Sequence, residues 1–183
     1  MFETFKARAE AVSAEVHRFA TTSDGMAFIM KTLGDEGVAD TPGTYAVWAD
    51  SPMLAGLDTA VLAAQVPGLI FDVTREKARD AKIGISQMQW GLANTGSVVQ
   101  DSTDPKQRLV ASLTNIHIAV MPTGAILPDL PALLATVHPD ECGYLSVISG
   151  PSRTADIERV LTIGVHGPER LIVVCIDALG GHN

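Results

Sequence analysis

A short polar motif near the end of this sequence has the residue types of an anion-binding site. Residues 144–148 form an apolar run typical of a strand, and a helix is predicted over 155–163. Ser152, Arg153 and Thr154 stand between them, so their side chains and the helix N-terminal amides could bind one phosphate or carboxylate. The alternative is that a hydroxyl caps the helix and the guanidinium pairs with a surface carboxylate. The candidate ligand-binding residues of this motif are Gly150, Ser152, Arg153, Thr154 and Asp156.

His166 is the candidate for acid–base chemistry. It lies between Gly164 and Gly167, and a histidine among glycines is seldom there for packing. Its imidazole could act as a general acid or base near neutral pH. The alternative is a histidine in a turn that hydrogen-bonds to the backbone.

A second polar motif consists of Asn94, Thr95, Gly96 and Ser97. The glycine would let the backbone approach a ligand closely, and the two hydroxyls and the amide could bind that ligand. The alternative is a tight turn with the glycine in a left-handed conformation. All four residues are candidate ligand-binding positions.

The motifs at 93–97, 150–158 and 164–168 resemble, in this order, those of the lactate-utilisation protein C family, also called LutC/YkgG or the LUD domain. The resemblance covers most of the chain from about residue 72 to residue 177. It implies a fold similar to the NagB/RpiA/CoA-transferase group and a role in oxidising lactate to pyruvate. It also implies separate partner proteins that carry iron–sulfur clusters.

The residue at position 94 departs from the pattern of that family, which usually has an acidic side chain there. In enzymes similar to CoA-transferases, an acidic side chain near a glycine turn can act as the nucleophile. Asn94 cannot form the acyl intermediate of that route, although its carboxamide can still hydrogen-bond a ligand.

The two cysteines, Cys142 and Cys175, cannot by themselves supply the four thiolates that an iron–sulfur cluster normally needs. We therefore predict no cofactor in this chain and iron–sulfur clusters only in its partners. His138, Glu141 and Cys142 lie close together in the sequence, but their spacing matches no common zinc motif. We predict no metal site.

Composition limits the class of protein. The chain has 183 residues, of which 46% are hydrophobic and 19% charged, as in an ordinary globular protein. Its net charge of −8 argues against a general nucleic-acid or anionic-membrane surface. No segment approaches the roughly 20 apolar residues of a membrane span, and no leader pattern opens the chain. We expect a cytoplasmic protein.

Residues 1–40 are predicted to be an N-terminal helical segment. Apolar residues at a 3-4 spacing from Phe2 to Phe19 indicate one amphipathic helix, and Ser23 and Asp24 begin a second. The apolar stripe could pack on its own domain or on a second subunit. We favour its own domain, and a homo-oligomer stays open.

From residue 44 to residue 183, apolar strands alternate with helices. The predicted elements include a helix over 86–93 opened by a capping box, an exposed loop over 101–107 and strands over 115–121 and 171–177. A helix is also predicted over 130–137, with Asp129 as its cap and Pro131 near its first position. This alternation predicts an α/β fold, a single layered domain over 1–183 with a largely parallel sheet flanked by helices. In such a sheet, ligands bind outside the carboxyl ends of the strands, where we expect both polar motifs.

The leading functional hypothesis is a cluster-free component or accessory subunit of a cytosolic lactate-oxidation system, with a pocket for a small anionic ligand. Whether the chain is itself catalytic, as a subunit of a lactate dehydrogenase complex, stays open. One alternative is a stand-alone enzyme acting on a phosphorylated or CoA-linked molecule, in which Arg153 binds the anion and His166 moves a proton. The other is a non-catalytic regulatory or scaffold protein, which Asn94 favours.

Overall fold

The computed structural model describes residues 1–137, 140, 142–152 and 166–179. In these residues the main sheet has six strands, all parallel to their neighbours. Helices pack on it, so the predicted α/β fold with a parallel sheet flanked by helices is confirmed. The strands are, in spatial order, β1 (Glu15–Phe19), β10 (Arg170–Ile176), β7 (Ile116–Pro122), β4 (Ala81–Gln87), β2 (Tyr45–Trp48) and β3 (Leu69–Ile70).

A smaller, mixed sheet lies beside the main one and has four strands in the described ranges. Its centre is an antiparallel hairpin of β5 (Trp90–Leu92) and β6 (Ser97–Asp101), whose turn contains Asn94, Thr95 and Gly96. Strand β9 (Leu145–Ile148) pairs antiparallel with β6. In spatial order the strands are β8 (Ile126–Leu127), β5 (Trp90–Leu92), β6 (Ser97–Asp101) and β9 (Leu145–Ile148).

Short polar side chains cap several of the helices. The side chains of Thr21, Asp104 and Asp129 each accept a hydrogen bond from a backbone amide of the following helix, which satisfies an otherwise unpaired donor. Two 3-10 turns, Pro52–Leu54 and Thr123–Ala125, follow strands of the main sheet. The α-helices in the described residues are α1 (Phe2–Ala11), α2 (Thr22–Asp35), α3 (Thr59–Gln65), α4 (Arg75–Arg79), α5 (Pro105–Leu113) and α6 (Leu130–Thr136).

The main sheet is buried on both faces. Ile29 and Leu33 of α2 are fully buried against one face, in a cluster with the isoleucines of the central strands. Phe5 and Ala9 of α1 are fully buried against the other face, in a cluster that includes Met121 and residues of the smaller sheet. The apolar stripe of α1 therefore packs on its own domain, as predicted.

The prediction of one helix from Phe2 to Phe19 is wrong. The helix ends at Ala11, and Ser13 adopts a left-handed conformation with φ 71° that turns the chain. Residues Glu15–Phe19 then form β1, which pairs in parallel with β10 at the edge of the main sheet. The predicted helical segment over 1–40 therefore also contributes a strand. The 3-4 spacing that predicted one helix includes apolar residues of both the helix and the strand.

The predicted helix over 86–93 is also wrong. Ser86 belongs to β4, and its hydroxyl hydrogen-bonds to His117 instead of capping a helix. The strand runs to Gln87 because β4 lies between β2 and β7, where pairing satisfies its backbone groups. The loop predicted over 101–107 is shorter than expected, since α5 begins at Pro105.

No helix in the described ranges is long and apolar enough to cross a membrane.

Candidate functional site

Three hydroxyl groups form a small cluster, here called the hydroxyl cluster, between the hairpin turn and the loop after β9. Ser97 Oγ lies 2.7 Å from Thr95 Oγ1, to which it donates a hydrogen bond, and 2.6 Å from Ser149 Oγ. Ser97 is buried, whereas Thr95 and Ser149 are exposed to solvent. Two of the predicted motifs are thus joined through Ser97, although Ser149 itself had not been a candidate residue.

Ser152 links the loop after β9 to the glycine-flanked histidine. The backbone amide of His166 donates to Ser152 Oγ at 3.3 Å, and the amide of Ser152 donates to the carbonyl of Pro168 at 2.8 Å. The imidazole of His166 is exposed. All three motifs therefore converge on one region of the surface. The Ser152 hydroxyl accepts from the amide of His166 itself, so it already has a structural partner.

Gly96 and Gly150, one in each polar motif, lie in close contact with the end of helix α1. Gly96 has φ +69°, and a Cβ built on it would lie 2.1 Å from the backbone nitrogen of Ala9. Gly150 has φ +71°, and its Cβ would lie 2.3 Å from the carbonyl oxygen of Val12. Both positions need glycine for the left-handed backbone and for this contact. The observed close approach is to the end of α1, and an approach to a ligand stays a prediction.

Asn94 lies at the exposed tip of the hairpin. Its backbone amide donates to the carbonyl of Pro128 at 3.0 Å, which ties the tip to the chain after β8. Its carboxamide is accessible to a ligand.

The hydroxyl cluster lies at a different edge of the main sheet from the one predicted. His166 and Pro168 precede the first residue of β10, and Glu169 donates its amide to Asn115, just before β7. This is the amino edge of the parallel strands. The loop after β9 does follow a strand, but that strand belongs to the smaller sheet. The expectation that these motifs lie at the carboxyl ends of the parallel strands is wrong.

Arg153, Thr154 and Asp156, together with the predicted helix over 155–163, lie outside the described residues. Their predicted part in anion binding therefore stays a prediction.

An ionic network lies on the same amino edge. Arg170 donates to Glu15 at 2.8 Å and to Glu36 at 2.6 Å, and Lys82 lies 2.8 Å from the second oxygen of Glu36. Hydrogen bonds from Lys82 and Arg170 lower the pKa of Glu36. Hydrogen bonds to Glu15 and Glu36 raise the pKa of Arg170. Since these cations are already paired, they hold β1, β10 and the end of α2 together.

A buried Ser–His pair was missed by the sequence analysis. His117 and Ser86 are fully buried on adjacent strands, and Ser86 Oγ lies 2.8 Å from His117 Nε2. Burial lowers the pKa of His117 to about 4, so the ring is neutral at physiological pH. Its Nδ1 has no hydrogen-bond partner among the described residues. The alternation of His117 with isoleucines was the available signal for a residue on the opposite face of the strand.

The two cysteines are poor nucleophiles at neutral pH. Burial raises the pKa of Cys175 to about 12, and burial with a hydrogen bond to Asp101 raises that of Cys142. Both thiols are therefore protonated at neutral pH. Within the described residues, no group of three His, Cys, Asp or Glu side chains could hold a metal ion. His138 and Glu141 lie outside those residues.

Comparison with known proteins gives the family. The model of the LUD domain matches residues 2–176, which is nearly the whole chain. The chain belongs to the LUD domain family. A crystal structure of a DUF162 family protein from Deinococcus radiodurans superposes on this LUD domain with a TM-score of 0.64. The match covers 96% of this chain and 95% of the other at 19% identity, and it supports the fold.

Several relatives of this LUD domain carry the name lactate utilization protein C. The one from Halalkalibacterium halodurans is 35% identical over 108 residues, and the one from Exiguobacterium is 34% identical over 114 residues. The uncharacterized protein YkgG of Escherichia coli is 32% identical over 107 residues. These matches cover 55–59% of this chain and 46–50% of each relative, so this LUD domain corresponds to about half their length.

Proposed function

We propose that this LUD domain is a cluster-free component of a cytosolic system that oxidises lactate to pyruvate. The observation that carries the proposal is its similarity to several proteins named lactate utilization protein C, at up to 35% identity. Lactate gives up two electrons and two protons in this reaction. The electrons pass to partner proteins with iron–sulfur clusters, because the two cysteines of this chain are fewer than the four thiolates that a cluster normally needs.

The proposed ligand pocket lies at the hydroxyl cluster and the adjoining loop. Thr95 and Ser149 present exposed hydroxyls, and Ser152 and His166 adjoin them through the hydrogen bonds described above. Arg153 follows Ser152 directly and supplies the positive charge for a small carboxylate. Gly150, Thr154 and Asp156 complete the proposed binding segment, and His166 is the proposed proton carrier.

A covalent route through position 94 is not part of the proposal. Asn94 has an exposed carboxamide, which can donate and accept hydrogen bonds but cannot form an acyl intermediate. Its proposed role is to hydrogen-bond the ligand at the hairpin tip.

The proposal is tested by affinity purification of the tagged chain from lactate-grown cells of its own source. The expected eluate contains cysteine-rich partners, absorbs visible light as iron–sulfur proteins do, and reduces a dye when lactate is added. The same purification from cells grown without lactate is the control. A colourless, solitary and inactive chain would contradict the accessory-subunit proposal.

Arg153→Ala tests the anion pocket separately from the partners. Loss of a charge-assisted contact should weaken binding of lactate or pyruvate to the purified chain by about 1.5–3 kcal/mol in calorimetry. Arg75→Ala removes an exposed arginine from α4 and is the matched control. Equal affinity of the Arg153 variant and the control would remove Arg153 from the pocket.

A further inference from the structure

A pocket of about 290 Å³ lies between helix α5 and strand β9, which is an edge strand of the smaller sheet in the described ranges. Its walls are Arg108, Ala111 and Ser112 of the helix and residues 144–148 on the strand side. Within the described residues, none of those proposed for the lactate pocket lines it, so the proposed function does not account for it. Its volume is close to the lower limit of small-molecule sites.

Two separate elements place polar side chains in this pocket. Arg108 and Ser112 are four residues apart on α5 and therefore lie on the same face of the helix. Side chains alternate along β9, so Ser146 lies on the same side of the strand as Tyr144, whose ring contacts Arg108. Val110 is fully buried in a cluster with residues of β2 and β4, which fixes the helix against the main sheet. The guanidinium and the two serine hydroxyls therefore border one space from two walls.

The guanidinium of Arg108 is held in place without an acidic partner. Its Nη1 donates to the carbonyl of Ser102 and lies 3.5 Å from that of Thr103, and its Cζ lies 4.7 Å from the centre of the Tyr144 ring. Among the described residues, no carboxylate pairs with it, and its Nε and Nη2 donate to no other group. These contacts fix the side chain before a ligand arrives and leave one edge of the guanidinium open to an anion.

The hydroxyls of Ser112 and Ser146 are also available to a ligand. Ser112 is exposed and Ser146 is half-buried, and both line the pocket. Neither hydroxyl has a hydrogen-bond partner in the part of the chain that the structure describes. Each can therefore donate to an acceptor in the pocket without breaking a contact of the folded protein.

The charge and the donors of the lining select an oxyanion. Among the described residues, Arg108 is the single charged side chain that lines the pocket, and no aspartate or glutamate opposes it there. The net charge of −8 repels anions from the chain as a whole, so binding has to come from this local cation. The open edge of the guanidinium satisfies both oxygens of a carboxylate, whereas a phosphate has further oxygens for the two serine hydroxyls.

We propose that this pocket binds a phosphate group, either as inorganic phosphate or as the monoester of a small molecule. Nε and Nη2 of Arg108 donate to two of its oxygens, and the hydroxyls of Ser112 and Ser146 donate to the remaining ones. The small volume of the pocket limits the rest of the ligand to a short substituent.

The test is calorimetric titration of the full chain with inorganic phosphate at constant ionic strength. The wild type should bind phosphate, and Arg108→Ala should bind it at least about tenfold more weakly, because a charge-assisted contact is lost. Lys106→Ala is the matched control, since Lys106 is an exposed cation of the same helix outside the lining, and it should bind as the wild type does. Acetate should bind at least about fivefold more weakly than phosphate, because its two oxygens leave the serine hydroxyls unused. Glycerol 3-phosphate distinguishes the two forms of the ligand: tighter binding than phosphate identifies a monoester, and weaker binding identifies the free ion.

Ser112→Ala and Ser146→Ala separate loss of binding from loss of folding. Each should melt as the wild type does, because its hydroxyl has no partner among the described residues, and each should bind phosphate about two- to fivefold more weakly. No binding by the wild type, equal affinity of Arg108→Ala and Lys106→Ala, equal affinity for acetate, or full affinity in both serine variants would each overturn the proposal. Loss of phosphate binding in Arg153→Ala but not in Arg108→Ala would place the anion in the proposed lactate pocket and overturn it as well. These results do not depend on lactate oxidation, so they leave the proposed function to its own test.

Discussion

The hydroxyl oxygens of Ser97 and Ser149 lie 2.6 Å apart, although the two residues are 52 positions apart in the chain. This contact joins the β5–β6 hairpin to the loop after β9. Ser97 is buried and also donates to Thr95, so its hydroxyl lies at the centre of the cluster. The geometry predicts that the two motifs are coupled in stability as well as in position.

Ser97→Ala should lower the free energy of unfolding by about 1 kcal/mol, because a buried hydrogen-bonding group is lost. Ser149→Ala should cost less, since Ser149 is exposed and water can replace its partner. Urea denaturation of both single variants and of the double variant gives a double-mutant cycle. We expect a coupling energy of about 0.5 kcal/mol or more, and additive effects would show that the pair contributes nothing.

Gly96→Ala should destabilise the protein by about 2–4 kcal/mol, since a Cβ at φ +69° adds backbone strain and collides with Ala9. The matched control is Gly124→Ala, where a Cβ would meet no atom within 4 Å. Urea denaturation measures both. Similar stability of the two variants would mean that α1 moves away easily and that the contact is not a constraint on position 96.

The burial of His117 predicts that the folded protein loses stability in acid. Burial lowers its pKa from about 6.5 in the unfolded chain to about 4 in the folded protein, so the unfolded state binds the proton first as the pH falls. The contribution to stability is fully present above pH 6.5 and falls by about 3 kcal/mol down to about pH 4. Urea denaturation across this range measures the dependence.

His117→Gln keeps a polar group near Ser86 but cannot take up the proton. The difference in unfolding free energy between wild type and this variant should therefore change by about 3 kcal/mol between pH 7 and pH 4, with the wild type losing more. The contributions of the carboxylates cancel in this difference, because both proteins have the same carboxylates. A difference that stays constant with pH would show that His117 is not buried as a neutral ring.

Arg170→Ala should lower the unfolding free energy by about 1 kcal/mol in low salt, because Glu15 loses its partner and Glu36 keeps only Lys82. High salt should reduce this effect. Because Arg170 helps to lower the pKa of Glu36, the stability from this pairing is present above the usual range for glutamate and is lost as the pH falls through the folded value. Arg79→Ala, which breaks only an exposed pair with Asp80, is the control and should change stability by less.

Much of the fold follows from local sequence signals. The strands Ile116–Pro122 and Arg170–Ile176 were predicted almost to the residue, because continuous apolar runs suit strands buried on both faces. The cap of α6 by Asp129 followed from a short polar residue before a proline at the first turn. The same signal at Asp104 and Pro105 marks the start of α5, inside the stretch predicted as a loop.

The rest depended on tertiary contacts that sequence spacing does not record. Ser86 and Gln89 matched a capping box, but pairing of β4 with β2 and β7 keeps this stretch extended. Sequence reasoning identified three motifs that converge on one region, yet it predicted the two polar motifs at the wrong edge of the main sheet. Nothing local to residues 149–152 shows that their strand belongs to the smaller sheet.

The proposed role in lactate oxidation is tested most directly by growth of the source organism without this gene. Cells lacking the gene should grow slowly or not at all with L-lactate or D-lactate as the sole carbon source, and normally with pyruvate, the product of the oxidation. Expression of the wild-type chain should restore growth on lactate, and the Arg153→Ala variant should restore it less well. Unimpaired growth of the deletion strain on both lactate enantiomers would contradict the account.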